Sequence, residues 1–126
     1  MKRQVLEIDK MQHLKELGAA TSNASFYWSY NGRRLNIVSA TGNLKAFEQR
    51  NLGIGAFDVQ DIIELIPPRL KEKYVFHIHK VGDHYHLEYS YPGCDATLHT
   101  SYSRNLLDAA YDMYVWYLTK YKTSNL

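Results

Sequence analysis

The sequence predicts an α+β fold in which helices are set against an antiparallel sheet of about five strands. Three observations carry this prediction. An Asn31-Gly32 pair sits between two segments of matched apolar alternation. A second pair of alternating segments flanks Gly82-Asp83. Three further segments carry apolar residues at helical spacing behind capping residues. Local hairpins favour antiparallel pairing, and helices gathered on one side of such a sheet give a layered arrangement.

The first helix is expected near 9–18. Asp9 can accept free backbone N–H groups of the first turn, Met11, Leu14 and Leu17 share a face, and Gly18 suits a left-handed terminus. A hairpin follows over 26–38. A two-residue Asn31-Gly32 loop pairs Trp28 with Leu35 and Phe26 with Ile37, which puts four apolar residues on one face. Residues 39–56, punctuated by Gly42, Gly53 and Gly55, carry no regular signal, and Gly53-Ile54-Gly55 reads as loop. Gly53-Ile54-Gly55 lacks the third glycine of a dinucleotide fingerprint.

A helix near 58–66 is capped by Asp58, with Asp61 three residues on, in a capping box that has Asp in place of Glu. Its apolar face is Val59, Ile62, Ile63 and Ile66, and Pro67-Pro68 ends it. The second hairpin spans 74–90, and a strand near 96–101 extends it. The last helix runs over 105–121 from an Asn105 cap, with Leu107, Ala110, Tyr114, Leu118 and Tyr121 on one side.

The chain has 126 residues, 22% charged and 45% apolar, which suits one domain over 1–126. The net charge of +2 is too small, and its basic residues too scattered, to point to nucleic acid. Arg69, Lys71 and Lys73 form the densest run and read as a solvated loop. No apolar run is long enough for a signal peptide or a membrane span. The single cysteine, Cys94, forms no internal disulfide and fits a reducing compartment, with the cytoplasm as default. It lacks the positive neighbour that would make a reactive thiolate.

Five of the six histidines fall between residues 77 and 99. Strand alternation about Gly82-Asp83 sends Phe76 and Ile78 to one face, and His77 and His79 to the other. A two-residue loop sets His79 opposite His86 and His77 opposite Glu88, with Cβ atoms about 5 Å apart. His77, His79, His86 and Glu88 therefore form the candidate divalent-metal site, with imidazole and carboxylate donors of the kind zinc takes. The plainer reading is a solvated polar face. His99 joins that face if the register allows.

Val115 and Trp116 fall outside the buried stripe of the last helix. They are the candidate contact surface for a protein partner or a homodimer; the alternative is that the end of the sheet covers Trp116. No Gly-x-Ser-x-Gly elbow or other catalytic motif is present, and the carboxylates sit at caps and on helix surfaces. The expectation is a non-enzymatic protein without a required cofactor.

Three stretches resemble small uncharacterised proteins of Bacteroidales genomes, phages and conjugative elements. They are Met11-Gln12-His13-Leu14-Lys15-Glu16-Leu17-Gly18 with Thr21-Ser22-Asn23-Ala24-Ser25, Phe57-Asp58-Val59-Gln60-Asp61-Ile62-Ile63-Glu64-Leu65-Ile66-Pro67, and Asn105-Leu106-Leu107-Asp108-Ala109-Ala110-Tyr111-Asp112-Met113. The resemblance implies an accessory protein of a mobile element and carries over no catalytic residue. Pro92-Gly93-Cys94 ahead of the helix from Asn105 is similar to HicB-type antitoxins, which implies a toxin partner. The Gly-Asp-Thr step of those proteins is absent here.

Overall fold

The computed structural model describes residues 4–38, 42–93 and 96–122. The elements are α1 (Ile8–Glu16), β1 (Phe26–Ser29), β2 (Arg34–Ile37), α2 (Leu44–Gln49), β3 (Gly53–Ala56), α3 (Val59–Leu65), β4 (Arg69–Leu70), β5 (Tyr74–Val81), β6 (His84–Ser90), β7 (Thr97–Ser103) and α4 (Leu106–Trp116). A 3-10 turn at Thr21–Asn23 and a π-helical segment at Tyr117–Tyr121 complete the order. The α+β class holds and all strand pairs are antiparallel. The two hairpins do not share one sheet, however. One sheet has the order β2-β1-β3 and the other β4-β5-β6-β7. The chain divides into two compact units, Met1–Asp61 and Ile62–Leu126.

In the first unit, Glu7 rather than Asp9 holds the N-cap position of α1, and Asp9 lies in the first turn, where its charge favours the helix dipole. Met11 and Leu14 are fully buried. Gly18 has φ +98° and ends the helix as its sequence suggested. The β1–β2 register pairs Phe26 with Ile37 and Trp28 with Leu35, as expected. Burial differs from expectation: Phe26 is buried, whereas Leu35 and Ile37 are exposed. The reason is position, since β2 is the outer strand and β1 the central one.

The other neighbour of β1 is β3, inside the stretch that reads as loop. Its glycines look like turn residues but serve close packing. A Cβ on Gly55 would collide with the carbonyl of Thr21, and one on Gly53 with the Trp28 carbonyl and the Phe47 ring. The Trp28 indole donates to the Leu6 carbonyl at 2.8 Å.

The α3 capping box forms with Asp at both ends. The Asp61 N–H donates to Asp58 at 2.9 Å and the Asp58 N–H to Asp61 at 3.2 Å. Asp61 also accepts from the Ser25 hydroxyl at 2.6 Å. Of the expected α3 face, Ile62 and Ile66 are buried, while Val59 and Ile63 are half-buried.

In the second unit, α4 packs on one face of the four-stranded sheet. Asn105 caps it by accepting from the Asp108 N–H at 3.2 Å. Leu107, Ala109, Ala110, Met113, Tyr114 and Leu118 are buried with Leu87 and Tyr89 of β6. The buried Ser101 hydroxyl donates to the Ala109 carbonyl at 2.8 Å, tying β7 to the helix. The basic segment contributes a two-residue strand, β4, rather than loop alone, and turns back to β5 through Lys71 and Glu72 at positive φ. Among the described residues, no helix is long and apolar enough to cross a membrane. Cys94 lies outside the described residues.

Candidate functional site

The β5–β6 hairpin turns at Gly82, whose φ of +61° suits a residue without a side chain. The register is the one the sequence predicts: His77 opposite Glu88, His79 opposite His86 and Val81 opposite His84. Strand β7 adds Thr100 beside Glu88 and Tyr102 beside His86. Alternation then sorts the side chains. Leu87, Tyr89 and Ser101 turn to α4 and are buried. Residues 77, 79, 86, 88, 100 and 102 turn to the opposite face, where Tyr102 is 65% exposed.

This open face carries a continuous row of rings. His77 stacks on His79 at 5.5 Å between centroids, and His79 lies 5.3 Å from His86. His86 in turn stacks on Tyr102 at 5.7 Å. One donor atom from each of His77, His79 and Glu88 falls within 4.8 Å of the other two. His86 is not part of that donor group; it braces the His79 ring instead.

Polar neighbours surround the donors. His77 Nε2 is 3.3 Å from Glu88 Oε1 and shares that same nitrogen with the Ser90 hydroxyl at 2.7 Å. The Thr100 hydroxyl donates to the other Glu88 oxygen at 3.3 Å. His84 is drawn away from the group, with Nδ1 at 2.8 Å from Asp83, which also pairs with Arg104 at 3.2 Å. The arrangement supplies two imidazoles and a carboxylate on a surface open to water.

The second predicted surface is placed differently from an exposed hot spot. Val115 and Trp116 are half-buried. The Trp116 indole lies flat against His99, 4.6 Å between centroids and 5° from parallel, with Tyr89 at 5.9 Å. The sheet therefore covers Trp116. His99 pairs with Tyr89 across the strands and faces the helix, not the polar face. His99 keeps the unbroken register of Thr100 and Tyr102, and the bulge lies beyond it, where Ser90 pairs with Thr97. Burial lowers the His99 pKa from its ordinary value, and Asp112 partly offsets this. Burial likewise raises the Tyr89 and Tyr114 hydroxyl pKa values.

Val115 and Trp116 do line an open groove of about 410 Å³ with Asp112, Thr119 and residues of β7. Sequence reasoning missed Ser90, Thr100 and Tyr102, which come to the site only through strand pairing. No family model, curated protein or solved structure matches the chain.

Proposed function

We propose that the protein is a non-enzymatic interaction module that pairs with a second copy of itself along the outer edge of β7. The single observation behind this reading is the contrast between the two ends of the four-stranded sheet. The β4 end is two residues long, whereas β7 presents seven, Thr97–Ser103, without a charge or a proline. No further strand pairs with β7 among the described residues. Proteins usually blunt such edges with short strands, lysine, proline or a bulge, because free N–H and C=O groups recruit another strand; the bulge here lies at the Thr97 end and leaves 99–103 in regular register.

Self-pairing fits the residues. A two-fold axis at Thr100 sets threonine opposite threonine and brings no like charges together. It also sets Leu98, 37% exposed, opposite Tyr102 of the second copy. The groove beside Trp116 and Val115 adjoins this edge. The resemblance to small proteins of mobile elements supports an accessory role of this kind.

Light scattering coupled to size exclusion tests the reading. The expected mass rises from monomer to dimer with concentration, and Tyr102→Lys or Thr100→Pro returns it to monomer. A monomer at every concentration sinks self-pairing, and a dimer indifferent to both substitutions moves the interface elsewhere.

A further inference from the structure

We infer that His77, His79 and Glu88 form a binding site for a divalent transition-metal ion, with zinc the best match. This inference does not rest on self-pairing through β7. Two imidazoles and one carboxylate make a donor set of intermediate hardness that suits zinc, whereas calcium and magnesium favour all-oxygen shells.

Geometry adds to the chemistry. Zinc–ligand bonds of about 2.0–2.1 Å in a tetrahedron separate the donors by about 3.3 Å. His77 Nε2 and Glu88 Oε1 already stand 3.3 Å apart. The full group lies within 4.8 Å, and closing it moves His77 Nε2 off the Ser90 hydroxyl, 2.7 Å away. His79 is flanked by the rings of His77 and His86, and the Glu88 oxygen turned away from His77 is held by Thr100. Outer hydrogen bonds of this kind orient ligands and raise affinity. The side chains of His77 and Glu88 are 40% and 21% exposed. An ion can therefore enter without unfolding the sheet, and water completes its coordination. Ligation requires neutral imidazoles, so acid weakens binding.

The test uses full-length protein without a histidine tag, stripped of metal, and titrated with Zn²⁺ by calorimetry and with Co²⁺ by visible absorption. The expected result is one ion per chain, with a dissociation constant of about 10 μM or tighter, unaffected by excess Mg²⁺ or Ca²⁺. His77→Ala, His79→Ala and Glu88→Gln each weaken it at least about ten-fold, a loss of about 1.4 kcal/mol. His84→Ala, on the same face but paired with Asp83, leaves it unchanged. Circular dichroism of the metal-free variants checks that each is folded, and zinc raises the melting temperature of the parent but not of the triple variant. Equal losses at His84 and His77 would mean diffuse adsorption to a histidine-rich surface and overturn the site. Binding only at millimolar zinc would do the same.

Discussion

Two glutamates, one in each unit, show how the same side chain serves opposite ends. Glu48, on α2, is buried, with its side chain 6% exposed. One of its oxygens accepts from the Thr21 hydroxyl and the Gly55 N–H, both at 2.7 Å. Lys15 approaches the other oxygen at 3.9 Å. This carboxylate is enclosed by donors that belong to the fold, and it ties α2 to β3 and to the 3-10 turn. Glu88 lies on an open strand face, held by one hydroxyl and facing His77 across the strands. A carboxylate enclosed by a buried hydroxyl, a backbone N–H and a lysine is architecture. A carboxylate fixed on one side and open to imidazoles on the other is poised for a ligand.

The largest expected effect breaks the first half of that contrast. Glu48→Ala strands a buried hydroxyl and a buried N–H, and is expected to cost about 2–4 kcal/mol in denaturant unfolding. Gly55→Ala should be at least as damaging, because its methyl group meets the Thr21 backbone. Removing the open carboxylate should barely register in the same assay. Glu88→Gln is expected to change stability by less than about 1 kcal/mol while lowering zinc affinity. If Glu88→Gln unfolds the protein and Glu48→Ala does not, the two roles have been assigned the wrong way round.

The smallest effect concerns the helix-covered face. Burial against Trp116 lowers the folded-state pKa of His99 below the ordinary value of about 6.5. The unfolded chain therefore takes up that proton first. The stability this group confers is complete above pH about 6.5 and is lost as the pH falls through its lower folded value. Melting temperature measured from neutral to mildly acidic pH should decline, and His99→Gln should flatten the decline. An unchanged slope would mean that the stacked imidazole titrates as freely as an exposed one.

Much of the fold was legible because it rests on local chemistry. The first hairpin has the register expected around Asn31-Gly32, although positive φ falls on Gly32 and Arg33, Asp58 with Asp61 gave α3 its start, and Asn105 gave α4 its cap. Strand β3 was hidden because its glycines are demanded by neighbours distant in sequence, Thr21 and Trp28, and not by a turn. At the candidate site, the opposition of His77 with Glu88 and of His79 with His86 followed from alternation about a tight turn. The ring row beyond it, from His86 to Tyr102, depended on a third strand.

The sequence alone determined the strand faces of the two hairpins and the starts of α3 and α4, since capping, turn geometry and alternation act over a few residues. Tertiary structure decided that the hairpins belong to separate sheets, that β2 is an exposed edge and that His99 faces Trp116. It also decided that three of the four predicted donors converge while His86 stacks. Each of these depends on which distant surfaces meet, and no local pattern encodes that.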